Sequence, residues 1–392
     1  MKILYQNKIE EYIRKVLNWE TPKGYESWVQ ALECEFAKKY GVKYAVAFNS
    51  GTSTLHAALV AVGVKPGDRV AIPALTVAMD TFAVLQVGAI PLYIDIDPKT
   101  WNMDPKDLYN KIEDTPVKAI IPVSLYGLPP ELIRIKNIAD ASGIPIIEDN
   151  AQSMLNKFNN KFVGTFGDIA SYSFESSKHL NSGEGGIIIT DNEDLALRCR
   201  KFGGLGYTTL TPELGRTKLT QETFQNPSFA RHDTMGYNYR LSEYQAAMVL
   251  AQLEHVEEFL YWRRKAALAY LNVIYETNFS DFLIPQALPL GCSHSWWAFT
   301  VRFYDDKSTW VDFRKRYIKE GGDGIYGAWR VTYNEPFMAE YSRELKGTCP
   351  VAEKLQPRLM QFKTNYYNDK IIDIKATALR KTIIKHKKKM GW

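Results

Sequence analysis

Seven short apolar runs fill the first two-thirds of the chain, and their length is what most constrains the fold. They are YAVAFNS (from Tyr44), RVAIPA (from Arg69), IPLYIDID (from Ile90), VKAIIPVS (from Val117), IPIIEDN (from Ile144), DIASYSF (from Asp168) and GGIIITD (from Gly185). Most are rich in β-branched residues, too short for helices, and bounded by Gly, Pro, Asn or Asp. Between them lie segments with helical patterning: STLHAALVAVG, TFAVLQVGA, PELIRIKNIADASG and NEDLALRCRKFG. Near-continuous apolar strands that alternate with helices are buried on both faces. The pattern therefore predicts an α/β fold with a mostly parallel central sheet sandwiched by helices.

From about Leu241 the texture changes. SEYQAAMVLAQLEHVEEFLYWRRKAALAYLNVIYE reads as a long amphipathic helix, broken or not, and an α+β pattern follows it. The expected division is a large domain over residues 1–250 and a smaller C-terminal α+β domain over 251–392, since a chain of 392 residues is long enough for more than one core. The polar stretch from Gly203 to Asp233 lacks periodicity, and a loop of that length is functional or disordered.

Charge and cysteine usage remove several function classes. The net charge of +5, from 49 basic against 44 acidic side chains, is small, and part of it lies in the run KHKKK (Lys385 to Lys389). Without interleaved arginine and aromatic residues, that run reads as a solvated tail and not as a nucleic-acid or membrane patch. Cys34, Cys199, Cys292 and Cys349 lie far apart with no C-x-x-C pair. They suit a reducing cytosol better than a disulfide framework or a zinc site. The N-terminal MKILYQNKIEEYIRK has no apolar core of signal-peptide length. The apolar region from Val70 to Ile94 is broken by Pro73, Asp80 and Gly88 and is no membrane span. The expectation is a cytoplasmic protein that takes small molecules, without a metal.

Three stations carry the chemistry. In NSGTSTLHAAL a strand ends at Phe48, the chain turns at Gly51, and a helix opens with Thr52, Ser53 and Thr54. Free N–H groups at a helix start make an anion site, although a plain Ser/Thr cap has the same look. In IPIIEDNAQS, Glu148 and Asp149 stand at the C-terminal end of a strand, where open α/β sheets hold ligands. A buried carboxylate there needs a cation such as a metal or a protonated heterocycle nitrogen, unless it merely caps a helix. In SFESSKHLNSGEGG, Lys178 sits in a tight loop behind the strand DIASYSF. It is a surface lysine, a phosphate-binding lysine or a desolvated nucleophile. Together, an anion seat, a strand-end aspartate and a loop lysine are what pyridoxal phosphate needs for its phosphate, ring nitrogen and aldehyde.

The succession GTSTL, EDNAQ, SFESSKHLNSGEGG and GYNYRLSEYQAA resembles the DegT/DnrJ/EryC1/StrS family of sugar aminotransferases, as do GVKPGDRVAIPALT, GAIPLYIDIDP and IPVSLYG. The likeness runs from about residue 30 to 260 and fades beyond. It implies a fold-type-I pyridoxal-phosphate enzyme. By this resemblance Lys178 is the Schiff-base lysine, Asp149 partners the ring nitrogen and Gln152 lies near the ring and its phenolic oxygen. Gly51, Thr52 and Ser173 take the phosphate-binding positions. Asn238, in GYNYR, reaches the phosphate of a neighbouring subunit, with Arg240 in a structural or interface role. The resemblance implies a homodimer with shared active sites. It further implies an enzyme that moves an amino group from glutamate or glutamine to a keto-sugar, expected to be a nucleotide-linked 4-keto-6-deoxyhexose.

Some positions depart from the family pattern. Val77 stands where an aromatic residue commonly stacks on the cofactor, Ser124 where histidine is frequent, and Glu175 and Ser176 where His-Pro or similar is usual. HSWWAF (His294 to Phe299) reads either as a strand or as sugar-pocket lining. GGDGIYGAW offers Tyr326 and Trp329, while Arg231 and His232 are candidate nucleotide contacts. Two rival readings remain. In sugar dehydratases of this fold a histidine replaces the lysine, whereas here position 178 is Lys and His179 follows it. A non-catalytic regulator would not need Asp149, Gln152, Ser173 and Lys178 together.

Overall fold

The computed structural model describes residues 5–391 apart from 214, 216–218, 306–307 and 341. All seven runs form strands: β1 (Tyr44–Phe48), β2 (Arg69–Pro73), β3 (Ile90–Ile94), β4 (Ala119–Ile120), β5 (Ile147–Asp149), then β8 (Ile169–Ser173) and β9 (Gly186–Thr190), with a small hairpin of β6 (Lys157–Phe158) and β7 (Lys161–Phe162) before the last two. Strands β3, β2 and β4 pair in parallel, as do β5 and β8. Parallel bridges Ile120 to Ile146 and Val123 to Asp149 join the two groups. The result is one layer ordered β3-β2-β4-β5-β8-β9-β1. Only β9 runs against its neighbours.

Side chains alternate between the faces, as a strand's period of two requires. Val46 and Ile188 enter a core with Leu55, Ile72 and Ile121, while Ala45, Ile187 and Ile189 enter a second core with Phe36, Tyr172 and Leu250. Helices α1 (Gln6–Leu17), α2 (Trp28–Tyr40), α3 (Gly51–Ala61), α4 (Met79–Gln86), α5 (Pro105–Asp114), α6 (Leu132–Ser142) and α7 (Glu193–Gly203) accompany the sheet. One buried ion pair pins α2 to α7. The Arg200 Nη1 and Nη2 donate to the Glu33 Oε1 and Oε2 at 3.0 and 3.1 Å, and the Ala47 N–H of β1 donates to the same carboxylate at 2.8 Å.

Helix α7 ends at Gly203, and from there to Asp233 the described residues carry only α8 (Gln221–Gln225) as helix. The expected long helix is broken at Glu254 and His255 into α9 (Glu243–Leu253) and α10 (Val256–Glu276). An antiparallel sheet ordered β10 (Leu283–Pro285), β11 (Ala298–Phe303), β13 (Leu359–Lys363) and β12 (Tyr326–Gly327) follows. It builds a third core in which Tyr270, Phe299, Phe362 and Leu379 meet, covered by α11 (Trp310–Lys319) and the terminal helix. The chain also returns to the first core, since Val331, Tyr333, Ala352 and Leu355 pack there through the segment holding α12 (Ser342–Leu345) and α13 (Pro350–Leu355). The KHKKK run is the last part of helix α14 (Asp369–Met390), not a loose tail. Its His386 is fully buried and donates from Nε2 to the Asp305 Oδ2 at 2.8 Å. Among the described residues no helix is long and apolar enough to cross a membrane, and no cluster of His, Cys, Asp and Glu could hold a metal.

Candidate active site

Helix α3 begins where β1 ends. Ser50 accepts the Ser53 N–H at 3.0 Å, and the Ser53 hydroxyl accepts the Ser50 N–H at 3.1 Å, which closes the helix start by a reciprocal cap. This leaves the N–H groups of Gly51 and Thr52 without an acceptor among the described residues. The Thr54 and Ser171 hydroxyls lie 2.6 Å apart and tie the helix to β8. A Cβ at Gly51 would lie 2.9 Å from the Ser173 Cβ and 3.1 Å from its Oγ. Only glycine lets the helix start come so close to the end of β8, so two free donors and a hydroxyl share one small seat for an anion.

The two carboxylates of β5 point to opposite faces. Glu148 accepts the N–H groups of Gly164, Phe166 and Gly167, each at 2.7 Å, and so serves as a clamp for that loop. Asp149, fully buried, accepts the Ala151 N–H at 2.9 Å. Burial pushes its carboxyl above the usual range, while the Ala151 N–H and the Lys178 charge pull it back. The sequence reading missed its neighbour Asp80, in the first turn of α4. That carboxylate is buried and accepts the Thr76 hydroxyl at 2.7 Å, and burial together with the Asp149 charge pushes it well above the usual carboxylate range. The clue was a carboxylate set within an otherwise apolar run, but such a residue reads first as part of a helix start.

Lys178 stands in the loop after β8. Burial lowers its basicity, and the charges of Asp149, Glu175 and Asp80 raise it again, with a net fall. Glu175 accepts the Ser177 N–H at 2.9 Å and both serine hydroxyls, and those bonds hold its carboxyl low although burial opposes them. The unusual Glu-Ser-Ser therefore forms a self-contained turn that brings a carboxylate near the lysine. Behind the lysine, a Cβ at Gly186 would meet the Ser50 O at 2.6 Å, so glycine is needed where β9 passes the helix start.

Trp297 lies in the HSWWAF run already noted as strand or pocket lining, whereas Arg263 escaped the sequence reading. The Lys178 Nζ lies 5.1 Å from the centre of the Trp297 ring, and the Trp297 Nε1 donates to the Ser177 O at 3.0 Å. Trp297 in turn stacks on Trp329, and Trp329 on Tyr126. The pair in HSWWAF thus divides before β11. Trp297 faces the lysine, whereas Trp296 stacks on His294. Arg263 of α10, buried, donates to the Lys178 O at 3.2 Å and the Trp297 O at 2.9 Å. His179 turns away from the site, is held neutral by burial, and donates from Nε2 to the Ser295 O at 2.9 Å.

Gln152 is buried and its Oε1 accepts the Tyr126 N–H at 2.7 Å, which leaves its amide hydrogens to donate elsewhere. The Ser124 hydroxyl donates to the Asn150 Oδ1 at 2.7 Å. Asn238 is exposed and bridged to Gly204. Among the described residues it has no hydrogen bond to Lys178, Asp149 or Ser173. The Arg231 guanidinium is engaged with the Phe224 and Phe229 carbonyls, and His232 with the Leu205 O at 2.7 Å.

A doubly wound sheet that brings an anion seat, a buried carboxylate and a desolvated lysine to the C-terminal strand ends defines the fold-type-I transferase class. The sequence pattern of the DegT/DnrJ/EryC1/StrS aminotransferase family matches residues 5–366, and the chain belongs to that family. It is 33% identical over 296 residues to GDP-perosamine synthase of Escherichia coli O157:H7, covering 75% of this chain and 74% of that protein. It is also 33% identical over 360 residues to UDP-N-acetyl-3-dehydro-alpha-D-glucosamine 3-aminotransferase of Acidithiobacillus ferrooxidans, covering 90% and 88%. Among solved structures, a DegT DnrJ EryC1 StrS aminotransferase from Brucella abortus superposes with a TM-score of 0.80 at 27% identity, over 96% of this chain and 95% of that one.

Proposed function

We propose that the chain is a cytoplasmic, homodimeric, pyridoxal-phosphate-dependent aminotransferase. It moves an amino group from glutamate or glutamine to a nucleotide-linked keto-sugar, a 4-keto-6-deoxyhexose. The observation that carries this reading is the meeting of Lys178 and Asp149, each sensing the other's charge, at the strand ends where Gly51 touches Ser173. The names of the two relatives, one made for a GDP-linked product and one for a UDP-linked 3-keto-sugar, support the substrate class.

The residues fit the cofactor. The free N–H groups of Gly51 and Thr52 and the Ser173 hydroxyl would hold its phosphate, Asp149 its protonated ring nitrogen, and the Gln152 amide its phenolic oxygen. When bound, the cofactor supplies the aldehyde that accepts an amino group and the ring that stores the electrons of the broken Cα–H bond. Lys178, whose burial favours the neutral amine, is the nucleophile and moves the proton at Nζ. Arg263 fixes the loop from which it acts. The exposed Asn238 would complete the phosphate seat of a neighbouring subunit.

Full-length protein with added pyridoxal phosphate is expected to be yellow and to lose the colour on adding glutamate. Lys178→Ala should abolish both the borohydride-trapped adduct and amine formation from a panel of nucleotide-linked keto-sugars. A wild type that stays colourless overturns the cofactor reading. A deoxygenated product without an amine overturns transamination in favour of dehydration.

A further inference from the structure

The amine of Lys178 ends on a ring and not on a carboxylate. Four charged groups act on it: Asp149 of β5, Asp80 of α4, Glu175 of its own loop and Arg263 of α10. Yet among the described residues its Nζ makes no hydrogen bond and no ion pair. It lies instead over the Trp297 indole, 5.1 Å from the ring centre, close enough for a cation to be attracted to an aromatic face.

The ring is held by contacts in which the lysine side chain has no part. Its Nε1 donates to the Ser177 O at 3.0 Å, and it stacks on Trp329 with ring centres 5.8 Å apart. Trp329 stacks in turn on the fully buried Tyr126, 5.7 Å away. Tyr126 itself is held at φ 61°, a left-handed conformation that a tyrosine seldom adopts. The Trp297 carbonyl accepts from the Arg263 Nη1 at 2.9 Å and from the Thr364 hydroxyl at 3.0 Å. The indole face therefore keeps its place whether or not the lysine lies on it. Arg263 fixes the loop, and the ring offers a seat to the far end of the side chain.

We propose that the indole face of Trp297 is the station that holds the Lys178 ammonium whenever this lysine is not bonded to the cofactor. Trp297 is a positioning residue, acting through Lys178. Its use in turnover rests on the proposed chemistry, but the contact between ring and ammonium does not. In that chemistry Nζ takes up a proton while it has no bond to the cofactor, and must later return it. A carboxylate at ion-pair distance would compete for that proton. An aromatic face attracts the cation yet has no site that accepts the proton, so it holds the side chain in reach without discharging it.

The test uses the full-length chain with fluorinated tryptophans incorporated site-specifically at position 297. Added fluorines draw charge from the ring face and change the ring's size little, so packing is kept while the attraction for a cation weakens. The face favours the charged amine, and weakening it must lower the pH at which Lys178 gives up its proton. In cofactor-free protein the pH midpoint of Lys178 acylation, read by peptide mass spectrometry, should fall with each fluorine, by about one unit for the tetrafluorinated ring. The same fluorines on Trp329 should leave the midpoint where it is. Protein loaded with pyridoxal phosphate and then treated with glutamate, in which the lysine is released, should show the same graded fall. A midpoint that ignores fluorination at 297 overturns the inference, as does an equal fall with Trp329 fluorinated. A fall confined to the cofactor-free chain overturns the station. Failure of the cofactor reading would instead show as protein that never colours, with the graded fall in the cofactor-free chain intact.

Discussion

Gly51→Ala tests the anion seat by geometry alone. The new Cβ would lie 2.9 Å from the Ser173 Cβ, where ordinary contact begins at 3.4 Å, so about 0.5 Å must be found. Ser173 cannot yield easily, because β8 is paired on both sides, to β5 and β9. The start of α3 must shift instead. Overpacking of this kind costs about 1–3 kcal/mol, against which alanine regains about 0.4–1 kcal/mol by restricting the unfolded chain. The net loss of stability is then about 1–2 kcal/mol, read as a lower urea midpoint. A shift of that size also spoils one donor to the phosphate, and a hydrogen bond to a charged group is worth about 1.5–3 kcal/mol, or about tenfold to a hundredfold in affinity. Titrations with pyridoxal phosphate and with pyridoxal separate the two effects. Only the phosphorylated ligand should lose affinity to that extent, and the added change Ser173→Gly should recover stability but not phosphate affinity. Equal losses for both ligands would refute the seat.

Three further outcomes follow from the packing and the charges. Arg200→Met leaves the Glu33 carboxylate buried without its cation and should cost about 3–5 kcal/mol, seen by urea unfolding; the double change Glu33→Met with Arg200→Met should recover most of it. Glu175→Gln removes a charge that raises the basicity of Lys178, so acylation of that lysine in cofactor-free protein, followed by peptide mass spectrometry, should have its midpoint at lower pH. Arg263→Met should lower turnover while leaving the affinity for pyridoxal phosphate within about threefold, because it holds the Lys178 carbonyl and none of the groups of the anion seat.

The strands were legible because each needs only a few β-branched residues between turn formers, and the seven runs are the seven strands of the layer. The stations at Gly51, Asp149 and Lys178 were legible because strand ends and helix starts announce themselves locally. The partners of those stations were not. Asp80 and Asp149 lie on different elements and meet only when β2 and β5 take their places in the sheet, so no local pattern links them. The return of Val331 to Leu355 into the first core was invisible for the same reason, as was the facing of Trp297 on Lys178. Glu175 was noticed as a departure, but its use as the acceptor of a two-serine turn needed coordinates.

The grip of Arg263 has a consequence for how such a chain can vary. Its guanidinium holds the Lys178 and Trp297 segments by their main-chain carbonyls, which every amino acid offers equally. The tryptophan that faces the lysine can therefore be exchanged in the course of divergence while the anchor on its own carbonyl persists. The identity of the ring beside the lysine and the placement of the lysine segment are therefore separable: a change of the Trp297 side chain leaves the carbonyl that Arg263 holds, and a change of Arg263 removes both anchors.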